Sequence, residues 1–139
     1  MLYINKEGKR AMSRQILKKE RIITDRLTLG SYRKEDRDRL AEMMRNPEIT
    51  ATFMVPDYSE EVQFYALADK LIEFSQINDT THLEYGVYLD GYMIGFVNDC
   101  GYDDEAIELG YVIDPAFKGR GFATEAVNAV INELDRKSV

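Results

Sequence analysis

From Leu83 the chain keeps a rhythm of two: Leu83, Tyr85, Val87 and Leu89 alternate with their neighbours, the spacing that gathers side chains on one face of a β-strand. Asp90-Gly91 follows, a pair suited to the positive φ angles of a tight hairpin, and Tyr92 to Val97 reads as the returning strand. Asp103-Asp104-Glu105 turns the chain again into Ala106 to Ile113, where Ile107, Leu109, Tyr111 and Ile113 share a face and Tyr111 reads as core. Consecutive hairpins of this kind make an antiparallel meander, because parallel neighbours need a long crossover between them. Asp114-Pro115 stops the third strand, and Lys118-Gly119-Arg120-Gly121 leads into a helix predicted over about Phe122 to Arg136. Its buried stripe is Val127, Val130, Ile131 and Leu134.

Upstream, Arg21 to Leu29 has the branched residues of one strand. Arg33 to Arg45 is predicted helical, with Leu40, Met43 and Met44 on one face, and Pro47 ends it. A second helix is predicted from about Ser59 to Phe74, started by Asp57 or Ser59 as N-cap, with Phe64, Leu67, Leu71 and Phe74 as its stripe. The order is β-α-α-β-β-β-α, an α/β (α+β) pattern. No linker or repeat divides the 139 residues, so residues 21–139 are expected to form one domain behind a basic extension, residues 1–20.

Charge is unevenly placed. The first 20 residues hold six Lys/Arg against Glu7 and Glu20, while Asn46 to Phe117 holds fifteen Asp/Glu against Lys70 alone. Such an acidic field argues against nucleic acid as a partner and favours cationic ligands. Cys100 and His82 are the only residues of their types, too few for a zinc site or an intrachain disulfide, so no metal is expected. The longest apolar stretch, about Met93 to Val97, falls far short of the roughly 20 residues of a membrane span, and the first 20 residues lack the continuous apolar segment of a secretory signal. The expectation is a cytoplasmic protein with no membrane partner.

The glycine junction carries the sharpest chemistry. Gly119 and Gly121 allow a tight turn and leave no Cβ between backbone and ligand. The helix start behind them offers unpaired N–H groups and the positive end of a dipole, which suit a phosphate. Lys118 and Arg120 add cations, and Thr124 adds a hydroxyl within the first turn. The plainer alternative is a loop needing glycine for its turn alone, with both cations solvated. The Walker pattern is absent, and a dinucleotide fingerprint fails where Thr124 stands for its third glycine. Coenzyme A is the better candidate ligand, its pyrophosphate on the loop and its pantetheine along an open strand edge.

These residues resemble the GNAT N-acetyltransferases. Their pyrophosphate loop, Gln/Arg-x-x-Gly-x-Gly/Ala, is matched at Gly121 and Ala123, with Lys118 departing at the first position. Gly110-Tyr111-Val112-Ile113-Asp114-Pro115, Gly121-Phe122-Ala123-Thr124-Glu125-Ala126 and Thr24-Asp25-Arg26-Leu27-Thr28-Leu29 look like the branch that acetylates ribosomal-protein N-termini. The resemblance covers about residues 21–136 and implies a GNAT-like mixed sheet. It implies acetyl-CoA as co-substrate, held by Lys118, Gly119, Arg120, Gly121, Phe122, Ala123 and Thr124, with the pantetheine beside Val112 and Ile113. The acceptor would be a primary amine, cationic or a protein N-terminus, attacking the thioester directly. A base must first take a proton from the ammonium form. Glu108, on the strand leading to the loop, is the candidate, with Glu84 in reserve; a solvent-facing carboxylate is its plainer reading. His82, just before a strand, reads as a surface residue.

The family pattern continues beyond the last helix with a strand, a helix and a closing pair of strands, roughly 40 residues at average element lengths. The expectation is therefore an incomplete domain whose exposed sheet edge is completed by a homodimer, or a truncated product. Two further functions compete. A non-catalytic acyl-CoA-binding or interaction module would bind the ligand without turnover, and a nucleotide-binding fragment would prefer a dinucleotide.

Overall fold

A computed structural model describes residues 2–3, 21–53, 55–76, 83–102 and 106–137. Its strands are β1 (Leu2–Tyr3), β2 (Arg21–Ile23), β3 (Thr28–Gly30), β4 (Glu84–Leu89), β5 (Tyr92–Tyr102) and β6 (Ala106–Ile113). The helices are α1 (Arg37–Arg45), α2 (Pro47–Thr50), α3 (Glu61–Ser75) and α4 (Phe122–Lys137). The sheet order is β1-β6-β5-β4-β3-β2, and every described pairing is antiparallel. The meander stands as expected, and Asp90 (φ 51°) and Gly91 (φ 82°) make its first turn in the left-handed region. His82 and the turn at 103–105 lie outside the described residues.

Both faces of the sheet are covered. On one, Phe122, Ala126, Val130 and Leu134 of α4 pack against Leu29, Tyr85, Val87 and Val97. On the other, Leu40, Met43 and Met44 of α1 and Ala68 and Ile72 of α3 pack against Tyr32, Tyr88, Met93 and Phe96. Glu84 to Tyr88 is therefore buried on both faces, not one. A bulge in β5 carries the switch: Tyr88 pairs with Met93 but Val87 pairs with Gly95, so Ile94 is the extra residue. Gly95 then lies so close to β6 that a Cβ there would sit 2.0 Å from the Val112 carbonyl oxygen.

Several local expectations are corrected. Residues 21–29 form a hairpin, not one strand, because Thr24 and Leu27 close a turn: the Thr24 N–H donates to the Leu27 carbonyl at 2.9 Å and the Leu27 N–H to Thr24 Oγ1 at 3.0 Å. The first helix begins as a 3-10 turn, Lys34–Asp36, where the Arg33 N–H donates to the Asp36 carboxylate at 2.7 Å. Pro47 does not only stop α1 but opens α2, since Asn46 caps the Glu48 N–H at 2.9 Å and proline needs no donor at a helix start. The N-cap of α3 is Glu60, not Asp57 or Ser59; Gln63 reaches back to the Ser59 and Glu60 N–H groups, each at 3.0 Å. The fully buried positions of α3 are Ala68, Ile72 and Ser75, beside the expected stripe. In α4, Phe122 and Ala126 join Val130 and Leu134 in the core, while Val127 and Ile131 are half-buried. The return strand β5 runs on to Tyr102, past Val97.

Candidate active site

At the end of β6 the chain is tied down before it reaches the glycines. Asp114 accepts from the Ala116 N–H at 2.9 Å, starting a 3-10 turn at Pro115–Phe117. Its other carboxylate oxygen takes Arg39 Nη2 of α1 at 2.5 Å, and Arg39 Nε donates to the Met93 carbonyl at 2.9 Å. Gly119 (φ 80°) and Gly121 (φ 79°) follow, both in the region that L side chains rarely adopt. A Cβ at Gly119 would meet nothing within 4 Å, so backbone conformation, not crowding, calls for glycine there. Helix α4 then begins, its first bond running from the Glu125 N–H to the Gly121 carbonyl at 3.0 Å. The amides of the preceding turn have no partner within the helix.

The loop opens onto a cleft of about 1100 Å³. Along one side run six consecutive residues, Glu108 to Ile113. A cleft lying on one face of a strand would meet alternate residues, so this one follows the strand's edge. That edge is bare among the described strands: β6 pairs with β5 along one side and with β1 only at Ala106 and Ile107 along the other. Tyr111, expected in the core, is 54% exposed and lines the cleft instead.

Of the residues nominated from sequence, Glu108, Val112, Ile113, Lys118, Gly119, Gly121, Phe122, Ala123 and Thr124 all border this cleft. Arg120 does not; its guanidinium lies over the Phe117 ring, 5.6 Å from the centroid. Glu84 is also elsewhere, buried in β4 and accepting the Tyr32 hydroxyl at 3.1 Å. Two groups escaped the sequence reading. Glu48, Ile49, Thr52 and Phe53, from α2 and the turn after it, form the facing wall; an Asn-Pro pair, N-cap followed by proline, was the available sign. The second is a clamp behind the loop. Arg26 Nη1 donates to the Arg120 carbonyl at 2.8 Å, and Arg26 Nε donates to Glu125 at 2.7 Å. Glu125 also accepts the Arg26 N–H at 2.9 Å and the Thr24 hydroxyl at 2.5 Å. Desolvation acts to raise the Glu125 pKa, but the Thr24 hydroxyl, the Arg26 N–H and the Arg26 guanidinium overcome it and hold the group below its ordinary value.

Away from the loop, toward the start of β6, the cleft is bordered by Glu108 and by Asp99, which pairs with Leu109; the neighbouring Asn98 has a buried Oδ1 with no hydrogen-bond partner, and Glu48 also borders the cleft. The cleft is thus cationic at the loop, through Lys118, and acidic at the other end.

A family model for the acetyltransferase (GNAT) domain matches residues 26–137. The chain is 26% identical over 118 residues to Uncharacterized N-acetyltransferase p20 of Bacillus licheniformis, which covers 81% of this chain. It spans 65% of the length of that relative. Among solved structures, a GNAT-family acetyltransferase from Bacillus anthracis superposes with a TM-score of 0.64 at 17% identity, over 81% of this chain and 64% of that one. A Salmonella typhimurium acetyl transferase, described as modifying the N-terminal serine of ribosomal protein L7/L12, gives 0.67 at 16% identity over 85% and 69%. RimL, a ribosomal L7/L12 alpha-N-protein acetyltransferase in complex with coenzyme A, gives 0.68 at 15% identity over the same shares. The solved structures share the fold, the family match spans the loop, the cleft strand and both covering layers, and the chain belongs to the GNAT acetyltransferase domain family.

Proposed function

We propose that the chain transfers an acetyl group from acetyl-CoA directly to a primary amine. The observation that carries this reading is the junction of a bare strand edge, Glu108 to Ile113, with the glycine loop and the first turn of α4 in one cleft. The residues fit the co-substrate. Backbone amides at Gly119 to Thr124 and the Lys118 ammonium suit a pyrophosphate. The edge of Val112 and Ile113 suits an amide-bearing pantetheine arm that pairs as an added strand would. Acetyl-CoA supplies the activated acyl group. Glu108, on the same edge, is the base that takes a proton from the ammonium, directly or through water. The freed nitrogen forms its bond to the acetyl carbon, the carbon–sulfur bond breaks, and coenzyme A leaves as the thiol once protonated.

The acidic end of the cleft favours an acceptor bearing positive charge beyond the reacting amine. A protein N-terminus is the class named for the Salmonella typhimurium and RimL structures. Among the described residues no helix is long and apolar enough to cross a membrane, and we place the protein in the cytoplasm.

Titration calorimetry with acetyl-CoA on the wild type and on Gly121→Asp tests the reading. The substitution puts a side chain at φ 79° and a negative charge where the pyrophosphate would lie. Micromolar binding by the wild type, weakened at least about a hundredfold in the variant, is expected, roughly 2.7 kcal/mol. Release of free thiol on adding amines completes the case. Binding without thiol release would make the chain an acyl-CoA-binding module, and a folded wild type that binds nothing would overturn the reading.

A further inference from the structure

A glycine-rich loop loses more backbone freedom on ordering than any other segment, and Lys118 to Gly121 is exposed. What holds it lies behind. The Arg26 guanidinium rests on the Phe122 ring, 4.3 Å from the centroid, and its Nη2 would be 3.5 Å from a Cβ on Gly121. Its Nη1 takes the Arg120 carbonyl at 2.8 Å. Because a trans peptide is planar, its C=O and the next N–H point opposite ways. Drawing the Arg120 carbonyl toward Arg26 therefore turns the Gly121 N–H away from Arg26, on a residue that borders the cleft. Arg26 itself does not border the cleft. Glu125 in turn fixes Arg26 through two hydrogen bonds, and Thr24 fixes Glu125.

We propose that Arg26 is a positioning residue which sets the peptide orientation of the coenzyme A loop, with Glu125 as the group that aims it. The inference rests on reading the loop as the pyrophosphate cradle, and it predicts behaviour that charge alone does not. Arg26→Lys keeps the positive charge but loses the planar fork that serves Glu125 and Arg120 together. Glu125→Gln removes a negative charge near a polyanion, so simple electrostatics predicts tighter binding, whereas a clamp predicts weaker binding.

Two measurements on both variants separate these. The first is backbone ¹⁵N relaxation of the free protein. Order parameters at Gly119 to Ala123 should fall from about 0.85 to below about 0.6, with those of β5 unchanged. The second is calorimetry with coenzyme A, where each variant should weaken binding about tenfold or more. Unchanged loop order in both variants, or tighter binding by Glu125→Gln, would overturn the proposal. A wild type with an ordered loop that binds no coenzyme A would instead defeat the functional reading, and loosening of the loop in the variants would still establish the clamp.

Discussion

At the scale of single residues, two buried or half-buried carboxylates show how differently charge is stabilised on the two sides of the sheet. Glu125 is held below its ordinary pKa by Thr24 and Arg26 against the pull of desolvation. A group depressed in the folded state contributes stability above its unfolded pKa and loses that contribution as pH falls through the folded value. The wild type should therefore melt above Glu125→Gln at neutral pH, and the gap should close as pH drops below about 4.5, the unperturbed value. Thermal scans from pH 7 to pH 3 read this directly; a gap that stays constant would mean that Glu125 gains nothing from its partners. Asp36, 4% exposed, takes the Tyr88 hydroxyl at 2.6 Å and Arg33 Nη2 at 3.1 Å. Burial first, then the Asp36 hydrogen bond and charge, push the Tyr88 phenol well above its ordinary pKa, so it remains a donor throughout the working range. Tyr88→Phe removes that donor and should cost about 1.5–3 kcal/mol in urea unfolding, the range for a hydrogen bond to a charged group. A cost under about 0.5 kcal/mol would show that Arg33 suffices.

Between elements, the decisive contact is the approach of β5 to β6 at Gly95. The 2.0 Å separation from a Cβ to the Val112 carbonyl oxygen cannot be relieved by a side-chain rotation, because the obstacle is backbone. Gly95→Ala should force the strands apart at the stretch that borders the cleft and cost about 3 kcal/mol or more; chemical denaturation at an unchanged native m-value is the check, and a cost below about 1 kcal/mol would show that β6 shifts freely. The one sign of this bulge in the residue pattern is Gly95, a lone glycine inside an apolar strand, and its apolar neighbours do not say which residue is the extra one. The Asp90-Gly91 turn was legible because both φ angles it needs belong to those two residues. The turn at Thr24 to Leu27 was not, although its bonds are equally local, since no glycine or proline marks it among the branched residues on either side. The same distinction divides the candidate site. The loop is written locally in glycine and lysine, and so is the strand that leads to it. The facing wall at Glu48 to Phe53 depends on how α2 packs, and the placing of Tyr111 in the cleft depends on which edge of the sheet is bare.

For the whole molecule, the net charge of −7 conceals an arrangement with a direction. Fifteen acidic residues and one lysine lie between Asn46 and Phe117, and Glu48, Asp99 and Glu108 of that set border the cleft, the last two on the strands away from the loop. The cation at the loop end, Lys118, comes just after this stretch. A polyanionic acyl donor and a cationic acceptor would thus be drawn to opposite ends of one cleft. The acidic field acts over a distance of about 30 Å at 10 mM salt but about 8 Å at 150 mM, so its contribution to encounter should show as a salt dependence that differs between acceptors. With acetyl-CoA saturating, kcat/KM for a peptide acceptor of net charge +3 should fall about tenfold between these two salt concentrations. A peptide with the same first two residues and net charge −2 should show a flat or rising profile. Equal slopes for the two peptides would mean that the acids serve solubility alone, and acceptor choice would then rest on the shape of a cleft lined by Phe53 and Tyr111.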